Sequence, residues 1–143
     1  MFNPTREQVR HFFIDAWRKH TAHEVLSPLE ITAVDIIGQH PEYHPLLENP
    51  ASVERDFSPE DGQVNPFLHL SLHLAIEEQL SIDQPPGIRS AFENTVAARG
   101  ERHAALHDTL ECLGQTLFEA QRNGTPPDGM AYLECIRRCA VHH

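Results

Sequence analysis

The stretch Asn65-Pro-Phe-Leu-His-Leu-Ser-Leu-His-Leu-Ala-Ile-Glu-Glu-Gln-Leu-Ser-Ile-Asp83 reads as one helix. Asn65 offers a side-chain cap and Pro66 suits the first helical position, while Gln84-Pro85-Pro86-Gly87 stops the run. Inside it, His69, His73 and Glu77 recur every fourth residue, which is just over one turn, so the three side chains form a column on one face. The spacing returns at His103, His107 and Glu111, and in letters at His40, His44 and Glu48. With 11 histidines in 143 residues, about one His-x-x-x-His pair is expected by chance. Three occur, each followed four residues later by a glutamate.

The text on either side is also helical. Asn3-Pro4 starts a helix to about His20, whose inner stripe is Val9, Phe12, Phe13, Ala16, Trp17 and His20. Glu7, His11 and Asp15 flank that stripe and read as a solvated face. Ser27-Pro-Leu-Glu30 has the spacing of a capping box and opens a second helix to Gly38. Glu30 either caps that helix or turns a carboxylate inward, and capping is the favoured reading. At His40-Pro-Glu-Tyr-His44-Pro, Pro45 cannot sit inside a helix begun at Pro41, so a turn over 40–44 and a short helix from Pro45 are expected. Residues 49–63 read as loop, with one turn at Ser58-Pro-Glu-Asp.

Beyond the central helix, one helix begins near Pro86 and breaks at Gly100. A longer one runs from about Glu101 to Arg122 and ends at Gly124, its stripe being Leu106, Leu110, Leu113 and Leu117. Thr125-Pro-Pro-Asp128 caps a last helix to about Cys139. No segment alternates as a strand does. The expectation is an all-α fold, a helical bundle of four main helices plus one or two short helices, forming a single domain over 1–143.

Net charge is −10 with histidines neutral, which disfavours a phosphate backbone as partner. No apolar run reaches the length of a membrane span, and the first residues lack the pattern of a secretory signal, so a cytoplasmic location without membrane contact is expected. Three cysteines, Cys112, Cys135 and Cys139, are an odd number for such a compartment and point to thiols rather than a disulfide framework. Cys135 and Cys139 stand four apart, with His142 and His143 beyond. They read as small core residues before they read as a soft-metal site. No phosphate loop, dinucleotide fingerprint or nucleophile elbow is present, so no nucleotide cofactor is expected.

The chain as a whole resembles a bacterial family catalogued as the domain of unknown function numbered eighteen forty-one. The resemblance lies in Met-Phe-Asn-Pro-Thr-Arg-Glu-Gln-Val-Arg at the start, His-Pro-Glu-Tyr-His at 40–44 and Asn-Pro-Phe-Leu-His-Leu-Ser-Leu-His at 65–73. It continues in Ser-Ile-Asp-Gln-Pro-Pro-Gly-Ile at 81–88, Glu-Cys-Leu at 111–113 and Gln-Arg-Asn-Gly-Thr-Pro-Pro at 121–127. The resemblance implies relatives rather than an activity.

Function therefore rests on the columns. Imidazoles at i and i+4 of a helix can both reach one cation, and a nearby carboxylate can complete or bridge a site. The expected ligand set is His40, His44, His69, His73, Glu77, His103, His107 and Glu111. Glu78 is a rival to Glu77, and Glu48 is placed nearer solvent. Such a set suits iron first, with zinc or nickel as alternatives. It also supports a dinuclear centre of the hemerythrin-like or di-iron kind, handling an oxidant or sensing or storing metal. The likeness to those centres is in kind only, because here each column carries two histidines and a glutamate. The alternative is an interaction module, with structural histidines and with loops 49–64 and 81–88 facing a partner. No catalytic residue and no partner is assigned, and a homodimer is compatible with the sequence.

Overall fold

The computed structural model describes residues 6–54 and 65–141. The expected cap at Asn3, the turn at Ser58 and the terminal pair His142 and His143 lie outside them. Among these residues seven α-helices follow in order: α1 (Arg6–Thr21), α2 (Pro28–Gly38), α3 (His44–Leu47), α4 (Pro66–Ile82), α5 (Ile88–Arg99), α6 (Arg102–Asn123) and α7 (Gly129–Val141). Short 3-10 turns at Pro41–Tyr43 and Pro50–Glu54 connect them. There is no strand among the described residues, and the fold is all-α. No helix among them is long and apolar enough to cross a membrane.

The chain divides into two compact units, 1–74 and 75–143, with α4 contributing to both. In the first unit, α1 packs on α2. Their buried rows, Phe13, Ile14, Ala16 and Trp17 on one and Ala33, Val34, Ile36 and Ile37 on the other, form one cluster with Leu47, Val53, Phe67 and Leu70. Glu7, His11 and Asp15 stay exposed on the far face of α1. Arg10, only 1% exposed, ties three segments of this unit together. Its guanidinium donates to the Val53 carbonyl at 2.9 Å and lies 4.9 Å from the centre of the Phe67 ring. A guanidinium is only weakly hydrated and can present a flat face to an aromatic ring, which is why arginine tolerates such a position.

The start of α2 is a reciprocal cap. The Ser27 amide donates to Glu30 Oε1 at 2.9 Å, and the Glu30 amide donates to Ser27 Oγ at 3.2 Å. Lys19 Nζ reaches the other Glu30 oxygen at 3.0 Å. Glu30 is therefore the N3 member of a capping box whose N-cap is Ser27. The donated Ser27 N–H, then Lys19, hold its carboxyl below the ordinary value of 4.5.

In the second unit α5, α6 and α7 pack on one another. Their core includes Ile88, Phe92, Leu106, Leu113, Tyr132 and Ile136. Gly100, with φ of +82°, separates α5 from α6, as expected of a residue without Cβ at a left-handed position. At the far end of α6 the Thr125 amide returns to the Ala120 carbonyl across Gly124, a Schellman closure. The cap of α7 is Asp128, whose Oδ1 accepts from the Met130 and Ala131 amides, each at 3.1 Å. Burial raises the Tyr132 phenol well above its ordinary value, and its hydroxyl donates to Gln79 Oε1 at 2.7 Å.

One expectation is corrected here. Cys112 of α6 and Cys135 of α7 form a disulfide, with Cα atoms 5.8 Å apart. The thiol reading came from an expected compartment and an odd cysteine count. Pairing is decided by helix packing, which brings these two residues into bonding range across 23 positions of sequence.

Two stability outcomes follow from the α2 cap. Ser27→Ala removes one side of the box and lowers unfolding free energy by about 1 kcal/mol in denaturant melts. The folded Glu30 pKa lies below its ordinary value of 4.5, so its contribution is present above that pH and is lost as pH falls through the lower, folded value. Glu30→Gln should flatten that acid-side loss, measured by melts across the acid range.

Candidate metal centre

At the end of α2 the Ile36 and Ile37 carbonyls already accept from the Gln39 and His40 amides, at 3.1 and 2.9 Å, and each takes a second donor from a histidine. His40 Nδ1–H donates to the Ile36 carbonyl at 2.8 Å, and His44 Nε2–H donates to the Ile37 carbonyl at 3.0 Å. The two bonds use opposite nitrogens of the ring, with opposite consequences. In His40 the proton is held on Nδ1, so Nε2 keeps its lone pair. In His44 it is Nε2 that carries the proton, and the ring lies against Trp17 at 4.4 Å between centres.

The Nε2 edge of His40 faces α4. Asn65 Oδ1 accepts from the Phe67 and Leu68 amides at 3.0 and 3.2 Å, starting the helix as expected. One turn in, His69 Nε2 lies 3.2 Å from His40 Nε2 and 3.1 Å from His73 Nε2. The ligand nitrogens of His40, His69 and His73 all lie within 4.8 Å of one another. His40 is 3% exposed and His73 1%, with His69 at the half-buried edge. Tyr43 stacks flat on the His40 ring, with 5.4 Å between centres and planes 3° apart.

Three facing Nε2 atoms are poorly matched to one another by hydrogen bonding alone. With the His40 lone pair fixed, the His69 contact requires the proton on His69 Nε2. A single N–H then has two acceptors, His40 and His73, at nearly equal distance. A cation satisfies all three lone pairs at once. Ligand nitrogens about 2.0–2.1 Å from one ion in tetrahedral geometry stand about 3.3 Å apart. The separations of 3.2 and 3.1 Å are close to that value.

The remaining expected ligands are placed as follows. Glu77 lies two turns after His69 on α4, but its carboxylate is gripped by Arg102 through two contacts, at 2.9 and 3.0 Å. Glu78 is exposed, so Glu77 is the more sheltered of the two. On α6, in the second unit, the rings of His103 and His107 meet edge to face with 4.3 Å between centres, while Glu111 is exposed. Glu48 is exposed as well. The structure thus brings together His69 and His73 from one column with His40 from another, and turns His44 to a different task.

Sequence spacing showed the His69/His73 pair directly. Pro45 already interrupted the 40/44/48 column in the sequence, but which of His40 and His44 joins that pair depends on the nitrogen each uses at the end of α2.

No curated protein and no solved structure matches this chain. The family model described as "Domain of unknown function (DUF1841)" matches residues 5–138, and the chain belongs to that family.

Proposed function

We propose that His40, His69 and His73 are the ligands of a transition-metal ion and that metal binding is the primary function of the first unit. The observation that carries this reading is the convergence of three imidazoles, His69 Nε2 lying 3.2 Å from His40 Nε2 and 3.1 Å from His73 Nε2, with the His40 tautomer fixed by a backbone carbonyl. A carbonyl holding Nδ1–H is the usual outer-shell partner of a metal-bound imidazole, orienting the ring and raising its basicity. Burial supports the same reading, since a pH-responsive surface cluster would be wetter than His40 and His73 are.

Three imidazoles suit iron(II), zinc or nickel, and coordination geometry selects among them. The observations favour a mononuclear site. Carboxylates that would bridge two ions are engaged elsewhere, Glu77 with Arg102, or exposed, as Glu111 is. Bound metal of this kind would serve oxidant handling if iron, and sensing or storage if its occupancy follows supply.

Elemental analysis of untagged full chain, purified without added metal, checks the reading. The expected result is close to one transition-metal ion per chain, either as isolated or after anaerobic reconstitution with iron(II) or zinc. His69→Ala/His73→Ala should lose that ion while keeping its helical circular dichroism. A wild-type chain that holds no metal and takes none up on reconstitution overturns the reading and leaves the interaction module.

The same site predicts a linkage effect. Zinc at about 100 times its Kd should raise the unfolding free energy of the wild type by about 2.7 kcal/mol, seen as a higher Tm. The double variant should show no rise. A chelator should reverse the shift in the wild type.

A further inference from the structure

The second unit holds a sulfur cluster that the metal reading does not use. Cys112 is buried in the face of α6 that meets α7, at 2% exposure, and is disulfide-bonded to Cys135. Cys139 stands one turn beyond Cys135 on α7, and its Sγ lies 4.0 Å from Cys112 Sγ. It is a free thiol. Cys135 and Cys139 are both half-buried, so the central sulfur is shielded while the two outer ones reach toward solvent. A dissolved thiol meets Cys135 first. Cys112 is within reach of Cys139 from inside the fold.

We propose that Cys112, Cys135 and Cys139 form a thiol–disulfide exchange site, in which Cys135 and Cys139 alternate as the partner of Cys112. Cys139 loses its proton and attacks Cys112 Sγ. The Cys112–Cys139 bond forms, the Cys112–Cys135 bond breaks, and Cys135 leaves as a thiolate that takes up a proton. Atoms and electrons balance without an external oxidant or reductant, since one disulfide and one thiol are present before and after. The attacking sulfur is already near van der Waals contact with its target, which removes most of the entropic cost of bringing them together. The outcome is a choice of which half-exposed thiol is presented on α7, one turn apart.

The surroundings of Cys139 set the pace. Burial raises its pKa first, followed by Asp108 and Glu111 on α6, with Arg138 on α7 and Arg99 on α5 acting in the opposite sense. Arg99 is itself paired to Asp108 at 3.0 Å, which spends part of its charge there. The thiolate is therefore scarce at neutral pH, and exchange is slow there and accelerates as pH rises.

The test uses the full chain, oxidised to one disulfide with diamide, which accepts the two electrons and two protons released. Excess reagent is removed, and samples held at about pH 6 and about pH 9 are quenched in acid at intervals. Peptic digestion at low pH and mass spectrometry then map the linkages. The expected result is two linkages, Cys112–Cys135 and Cys112–Cys139, with interconversion about tenfold faster per pH unit below the thiol pKa. Diamide oxidation of Cys135→Ser should give Cys112–Cys139, and that of Cys139→Ser only Cys112–Cys135. Cys112–Cys135 as the sole linkage at both pH values, with Cys139 free throughout, overturns the proposal. If Cys135→Ser does not fold, the wild-type map decides alone.

Discussion

The candidate centre depends on what the last carbonyls of α2 accept from side chains. A carbonyl oxygen has two lone pairs, and the Gln39 and His40 amides occupy one each on Ile36 and Ile37, leaving the other for a side-chain donor. Here His40 and His44 answer the Ile36 and Ile37 carbonyls. Because one uses Nδ1 and the other Nε2, neighbouring backbone acceptors turn one ring toward α4 and the other onto Trp17. The candidate centre in this sense gains a ring of fixed tautomer from the spare lone pair of a carbonyl at the end of α2.

Much of the scaffold could be read locally. Asn65, the Ser27/Glu30 box, Gly100 and Gly124 each impose a conformation within a few residues of themselves, and each stands where a helix starts or stops. The all-α class follows from such signals because helix formation is itself local. The pairing of His69 with His73 was legible for the same reason, as a consequence of helical pitch. His40 was legible only as a loop-borne candidate beside a column that Pro45 interrupts. Pro41 and Pro45 break the regular spacing, so His44 and Glu48 go their own ways.

What remained hidden was pairing over distance. Glu77 has the right spacing for a ligand, yet Arg102, 25 positions away, takes both its oxygens. No helical period predicts that contact. Cys112 and Cys135 are likewise joined by the packing of α6 on α7, and an argument from composition and compartment is silent on packing. Cys135 and Cys139 did carry a visible sign, their spacing of one turn. That sign becomes informative only once Cys112 is known to face them both.

The central claim is that three imidazoles surround one ion. Anomalous diffraction at the absorption edge of the metal, from crystals of the zinc- or iron-loaded chain, tests it most directly. The account predicts a single strong peak about 2.0–2.1 Å from the Nε2 atoms of His40, His69 and His73. A peak elsewhere on the chain, or none near these three nitrogens in a fully loaded crystal, would contradict it.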